Sequence, residues 1–253
     1  MAVGYKMQRA HTPCKRKGKV TMDSTARTLV IVPAYNEEAS IVATVDELRA
    51  VIPHVSYVVV NDGSTDRTEA LCRAHGYNLV SHPVNLGLAG AFRTGMKYAA
   101  RHGFDRAIQF DADGQHRPEA IAVLEEAMDA SGADVVIGSR FVTRVKPRSL
   151  RMLGSDMIST IIRLTARSRI ADPTSGMRLY GRRVIEEFAR RDDLTPEPDT
   201  LAFLIRHRGI KVVERQVSMR ERTAGESYLT LSRSVGYMAN AFASILFAQW
   251  FRR

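Results

Sequence analysis

The amino-acid sequence predicts an α/β fold in which a mostly parallel sheet is flanked by helices on both faces. Three observations carry that expectation. Short apolar runs alternate with helix-length segments from residue 29 onward, several of these runs end in polar turns bearing carboxylates, and 253 residues suffice for one large core. With 45% apolar and 25% charged residues, the composition excludes a mainly disordered, collagenous or polytopic membrane chain.

The elements follow in order. Residues 1–27 carry Lys6, Arg9, Lys15, Arg16, Lys17 and Lys19 with little apolar periodicity, so a loose basic tail without a secretory signal is expected there. Strands are expected at 29–32, 57–60, 78–80, 107–110 and 135–137, with helices between them at 38–51, 66–75, 88–101 and 118–130. Past Ser139 the alternation changes. A basic stretch at 140–151 leads into a helix reaching 169, then short helices near 181–189 and 200–208 and a strand at 211–217.

The domain proper is expected over 28–230. Between Arg233 and Arg252 lie 18 uncharged residues, about 27 Å of helix, which borders on a membrane span. Asn240, Ser244 and Gln249 interrupt the apolar pattern, and Trp250 beside Arg252 and Arg253 suits a membrane boundary. A membrane-associated helix over 231–253, lying in the interface, is therefore preferred to a spanning helix or to a core or oligomer contact.

Charge and cysteine content narrow the class. Lys and Arg number 37 against 27 Asp and Glu, a formal charge of +10, which favours anionic partners such as nucleic acid, anionic lipid or phosphorylated small molecules. Cys14 and Cys72 are far apart and fit no metal-ligand spacing, so a reducing, cytosolic setting fits best. No P-loop, Gly-x-Ser-x-Gly elbow or zinc-binding His and Cys cluster is present.

Ligands of such sheets bind beyond the carboxyl ends of the strands, and the informative residues stand there. The first strand runs into VPAYNEE at 32–38 and the second into NDGSTD at 61–66. Asp62 and Gly63 suit a tight turn and Asp66 a helix cap; the functional reading of Asp62 is a carboxylate that binds a base or ribose. The fourth strand ends in FDADGQH at 110–116. Asp111 and Asp113, two residues apart, serve either as turn residues or as hard oxygen ligands for Mg²⁺ or Mn²⁺, with Gln115 as a further ligand. His116 reads as a loop residue.

Taken together, these three segments resemble family 2 glycosyltransferases of the GT-A fold, a likeness spanning about 29–229 that also includes HPVNLG at 82–87, IGSRF at 137–141 and DPTSGMR at 172–178. The resemblance implies a nucleotide-sugar donor. Pro33, Tyr35, Glu37 and Asp62 would contact its nucleoside, Asn85 and the helix it opens would face it, and Asp111, Asp113 and Gln115 would hold the metal and diphosphate. Many relatives carry a lysine after Asn-Leu-Gly, where Leu88 stands here; Arg93 is a basic residue further along.

Within the family the likeness is to dolichyl-phosphate and polyprenyl-phosphate glycosyltransferases, through Gly138-Ser-Arg140 and RTAGES at 222–227. It implies that Arg140, Arg151 and Arg222, with the Ser155 hydroxyl, grip the acceptor's phosphate; paired guanidinium hydrogen bonds suit phosphate oxygens. Tyr228 stands where relatives often have lysine. It further implies inversion at the anomeric carbon, a UDP-sugar in preference to GDP-mannose, and action at the cytoplasmic face of the cell membrane. A small membrane protein or a second copy of the chain would be a fitting partner.

Glu197 and Asp199, in Pro-Glu-Pro-Asp, are candidate bases or sugar contacts, or loop caps. They matter most to the rival reading, a family 2 enzyme with a saccharide or protein acceptor, which needs a base. A nucleotidyltransferase lacks support because no glycine-rich basic loop follows the first strand. A noncatalytic basic module, nucleic-acid-binding or otherwise, is disfavoured by the Asp111 and Asp113 pair at a strand end, so no nucleic-acid partner is expected.

Overall fold

The computed structural model describes residues 26–143, 146, 150–220 and 244–245, with the backbone alone for 150 and 151. Arg222, Tyr228, nearly all of the expected tail and all of the expected C-terminal helix except Ser244 and Ile245 lie outside the described residues. In chain order the elements are β1 (Thr28–Ala34), α1 (Ile41–Val51), β2 (Ser56–Asn61), α2 (Thr68–Ala74), β3 (Leu79–Ser81), α3 (Gly87–Arg101) and β4 (Arg106–Gln109). There follow α4 (Ala120–Ser131), β5 (Val135–Ser139), α5 (Leu150–Ala166), β6 (Arg178–Gly181), α6 (Arg182–Arg190), α7 (Pro198–Arg208) and β7 (Val212–Gln216).

The seven strands form one sheet in the order β3-β2-β1-β4-β6-β5-β7. Every pairing is parallel except those of β6, which runs against both β4 and β5. β6 is the strand the sequence reading does not anticipate. Its four residues directly precede α6 and are too short to show a period of their own. Helix α5 also stops earlier than expected, at Ala166, where Arg167 takes a left-handed backbone with φ 54°.

β1 illustrates why the runs are apolar throughout. Leu29 and Ile31 face one core with Phe92, Tyr180 and Phe203, while Val30, Val32 and Ala34 face the other with Ile41, Leu48 and Leu124. A strand covered on both faces has no polar side, so its sequence reads as a continuous apolar run. Gly95 on α3 sits directly on this strand; a Cβ there would fall 2.3 Å from Ile31 Cγ2. The helix therefore approaches β1 more closely than any side chain would permit.

Ile245 is fully buried in the first core, among residues of α5 and α7. The two described residues of the C-terminal segment thus pack on the domain. Among the described residues no helix is long and apolar enough to cross a membrane.

Candidate active site

One edge of the sheet collects the candidate residues. β1, β2, β4 and β5 all end there, and the reversal of β6 brings the segment before it, residues 172–177, to the same edge. Chain direction also puts the N-terminus of α7 there, because α7 must run back to the start of β7, which is parallel to β5.

The turns after β1 and β2 are latched to each other. Asn36, with φ 55°, donates its N–H to the Ser64 hydroxyl and accepts from Thr65 N–H through Oδ1. Glu37 N–H donates to the Thr68 hydroxyl at 2.8 Å, and Glu38 N–H to Asp66 Oδ2. The Glu37 carboxylate receives the Ser40 hydroxyl at 2.6 Å. Asp66 Oδ1 accepts Thr68 N–H at the start of α2, the capping role expected of it. Pro33 and Tyr35 lie half-buried along this seam, and Asp62, buried, accepts Leu86 N–H at 2.9 Å. Asn85 is exposed, its Oδ1 accepting Gly87 N–H at the start of α3.

Asp111 and Asp113 lie in the turn leaving β4. Gln109 Nε2 donates to Asp111 Oδ1 at 2.9 Å, and Gln115 N–H donates to Asp113 Oδ1 at 3.1 Å. His116 is buried and braces the turn: its Nδ1 accepts Asp111 N–H at 2.9 Å, and its Nε2 stands 3.6 Å from Asp111 Oδ2. An N–H donor at Nδ1 leaves the ring proton on Nε2, facing the carboxylate. Gly176, from the segment before β6, backs onto this carboxylate, where a Cβ would lie 3.0 Å from Oδ2. Among the described residues no three His, Cys, Asp or Glu side chains form a metal site. Two carboxylates in one turn nevertheless fit Mg²⁺ or Mn²⁺, since such ions take one or two carboxylates and complete their shell with substrate phosphates and water.

Arg178, at the start of β6, is a buried arginine that sequence reasoning leaves without a role. It donates to the carbonyls of Ser175 (2.9 Å), Pro173 (2.6 Å) and Pro196 (3.1 Å). It thereby ties the turn behind Asp111 to the loop carrying Glu197, the N-cap residue of α7. Asp199, in the first turn of α7, is buried and accepts the Ser244 hydroxyl at 2.8 Å.

The expected acceptor arginines divide. Arg140 forms a two-pronged ion pair with Asp172, Nε to Oδ2 and Nη2 to Oδ1, both at 2.8 Å. Burial pushes the Asp172 carboxyl up, but the hydrogen bonds and charge of Arg140, with a smaller contribution from Lys146, hold it below the ordinary value. Glu214 on β7 supports the same turn by accepting the N–H groups of Ala171 and Asp172. Ser155 is buried on α5 and accepts from Lys146 Nζ at 3.2 Å, while Asp156 holds the same ammonium at 2.7 Å. Lys146 and Arg140 both approach the ring of Phe141, at 5.7 and 5.2 Å. Lys146 is thus the cation beside Ser155 that the sequence reading passes over; its only signal is membership of the basic stretch. Arg151 belongs to α5, but its side chain lies outside the described residues.

Two further placements bear on the site. Arg220 N–H donates to Gln115 O at 2.9 Å, and its guanidinium grips Glu47 at 2.6 and 2.7 Å, fastening the segment after β7 over the turn that carries Asp113. Arg93, the basic residue considered in place of a lysine at position 88, lies two turns into α3 with Nη1 3.7 Å from Asp192.

Comparison with known proteins agrees with this geometry. Residues 29–188 match the family described as Glycosyl transferase family 2. The polyprenol monophosphomannose synthase of Mycolicibacterium smegmatis is 33% identical over 229 residues, covering 83% of each chain. The undecaprenyl-phosphate mannosyltransferase of Micrococcus luteus is 32% identical, covering 81% of this chain and 88% of its own. Among solved structures, glucosyl-3-phosphoglycerate synthase from Mycobacterium tuberculosis, in complex with Mn²⁺ and UDP-glucose, superposes with a TM-score of 0.64 at 19% identity, covering 89% of this chain and 79% of that one. That likeness gives the fold, which is GT-A-like. The chain belongs to glycosyl transferase family 2 and is a glycosyltransferase of the polyprenyl-phosphate glycosyltransferase-like kind.

Proposed function

We propose that this enzyme transfers a sugar, with inversion, from a nucleoside diphosphate donor to a polyprenyl phosphate, giving a lipid-linked sugar for cell-envelope glycan assembly. The observation that carries the acceptor is the make-up of α5 and its approach. Lys146 and Arg140 both approach the Phe141 ring, Lys146 also bonds the Ser155 hydroxyl, and its partner Asp156 borders a groove of ≈ 630 Å³ lined by Leu153, Met157, Thr160, Ile161 and Leu164. Leu153, Met157 and Leu164 are exposed, at 60%, 52% and 72%. A polar head beside an apolar rail matches an amphiphile with a phosphate head and an isoprenoid tail, the phosphate displacing the exposed Asp156 carboxylate from Lys146 while Arg140 stays paired with buried Asp172. The same rail, in a chain of formal net charge +10, suits an anionic membrane at whose cytoplasmic face the enzyme would work.

On the donor side, Pro33, Tyr35, Glu37 and Asp62 would receive the nucleoside and Asn85 would border it. A Mg²⁺ or Mn²⁺ ion on Asp111, Asp113 and Gln115 would neutralise the diphosphate leaving group. His116 and Gly176 hold Asp111 in place for that task. A phosphate oxygen of the acceptor is already anionic, so attack on the anomeric carbon needs no strong base. Lys146 and Ser155, with Arg151 and Arg222, would orient it in line with the departing diphosphate, and Arg140, whose Nε and Nη2 are held by Asp172, would add only its remaining nitrogen, Nη1. Asp199, fixed by Ser244, would contact the sugar. UDP is the preferred carrier, as in the structural neighbour's complex; mannosyl transfer by the two relatives favours GDP-mannose as the alternative.

The test is incubation with radiolabelled UDP- and GDP-sugars and Mg²⁺ or Mn²⁺, with and without undecaprenyl phosphate. Label entering the organic phase only with the lipid phosphate supports the proposal and identifies the sugar. Label recovered in saccharide, or as free sugar, with an empty organic phase transfers the case to a saccharide acceptor.

A further inference from the structure

The loop between β3 and α3 holds a buried side-chain relay. His82 Nδ1 lies 2.7 Å from Asp62 Oδ1, and His82 Nε2 lies 2.8 Å from the Thr94 hydroxyl on α3. Leu86 N–H donates to the same Asp62 oxygen at 2.9 Å. The side chains of His82 and Asp62 are only 9% and 4% exposed. The loop is sealed onto the end of β2: His82 N–H donates to Asn61 O, and a Cβ on Gly63, whose φ is +67°, would fall 2.6 Å from the Val84 carbonyl carbon. Asp62 N–H is itself bonded to Ala34 O, which fixes its backbone to the end of β1 beside Tyr35.

The consequence lies in how the two carboxylate oxygens are used. A carboxylate accepts only, so it sets the His82 proton on Nδ1 and leaves Nε2 to take the Thr94 hydroxyl proton in the neutral ring. Oδ1 is thereby engaged twice, while Oδ2 takes no hydrogen bond from any described residue. We infer that His82 is a positioning residue that locks the Asp62 carboxylate so that Oδ2 accepts a ring N–H from the donor's nucleobase. The inference rests on the nucleotide-sugar reading above and adds a selection rule to it. Uracil offers N3–H and guanine N1–H at such an edge. Cytosine and adenine offer a ring-nitrogen lone pair, which a carboxylate oxygen repels.

The lock also makes the rule reversible. Leu86 N–H can only donate, so an amide at position 62 must turn its oxygen toward Leu86 and His82 and its NH₂ outward. Asp62→Asn is therefore expected to exchange an acceptor for a donor and to shift preference toward cytosine, whose N3 accepts.

The experiment is titration calorimetry of the full chain with UDP, GDP, CDP and ADP in the presence of Mn²⁺, for the wild type, His82→Asn, His82→Gln and Asp62→Asn. The wild type is expected to bind UDP or GDP and to discriminate against CDP and ADP. His82→Asn, whose amide nitrogen stands about where Nδ1 does, is expected to keep that affinity. His82→Gln, whose amide reaches toward Thr94 instead, is expected to lose about tenfold, the effect of one charge-assisted hydrogen bond. If His82→Gln binds as the wild type does, or if both His82 variants lose affinity equally, the inference is overturned. It is overturned equally if Asp62→Asn weakens all four nucleotides without raising CDP relative to UDP, a comparison of ratios that holds even where a His82 variant folds poorly. A wild type that binds no nucleoside diphosphate overturns the nucleotide-sugar reading itself, and this is seen before any variant is measured.

Discussion

At the scale of single residues, the site depends on carboxylates held in fixed surroundings. Asp113 is buried in the turn after β4 and fixed to Gln115 N–H. Asp113→Ala is expected to lower kcat by about a thousandfold, the order of loss when charge stabilisation of a leaving group is removed, with little change in Tm; turnover near the wild-type value would remove the metal assignment. Asp172 contributes in another way. Its side chain is fully buried and its acidity is raised by Arg140 despite burial, so its folded pKa lies below the unfolded value near 3.9. The stability this pair contributes is fully present above about pH 4 and disappears as pH falls through the folded pKa. Asp172→Asn is expected to cost about 3 kcal/mol at pH 7 by leaving Arg140 unpaired, and to flatten the acid limb of a chemical-denaturation series. Cys72, on α2, is buried in the second core, and that burial pushes its thiol up to about 11.

At the scale of elements, α5 and α3 make separate demands on the sequence. On α5 the buried Ile158 and Ile162 face the core, whereas Leu153, Met157 and Leu164 stay exposed on another side. Sequence periodicity alone does not distinguish an apolar residue that packs inward from one that meets a lipid. Leu153→Asp combined with Met157→Asp is expected to abolish co-sedimentation with phosphatidylglycerol vesicles while sparing transfer to a short, water-soluble isoprenyl phosphate; loss of both activities would point to misfolding or to a catalytic role. Lys146→Ala is expected to raise KM for the lipid phosphate roughly tenfold or more, through loss of a charge-assisted contact, with donor KM unchanged. On α3, Gly95→Ala would drive a methyl group into Ile31 and is expected to destabilise the fold by about 1–3 kcal/mol, read as a lower midpoint in urea.

At the scale of the whole molecule, net charge and sheet topology set what the enzyme meets. With a formal charge of +10, association with anionic vesicles is expected to weaken steeply between about 0.05 and 0.5 M salt, as screening shortens the reach of surface charge. The strands β1, β2, β4 and β5 were legible because each is a mainly apolar run bounded by turn residues, and the turns at 32–38, 61–66 and 110–116 were legible because chemistry and spacing coincide there. β6 was not legible, since four residues carry no period and strand direction is decided by partners distant in the chain. Nor could the sequence distinguish Arg140 paired with Asp172 from Arg140 free for phosphate, or reveal Lys146 over Ser155, because these contacts join segments 32 and 9 residues apart through the fold. By itself, then, the sequence determined the alternation of strands and helices, the family and the turns that carry carboxylates, all of which are local in the chain. Only the tertiary structure decided which charges neutralise one another and which side chains brace Asp62 and Asp111. Those outcomes depend on distances between atoms that the sheet order, and above all the reversed β6, brings to one edge.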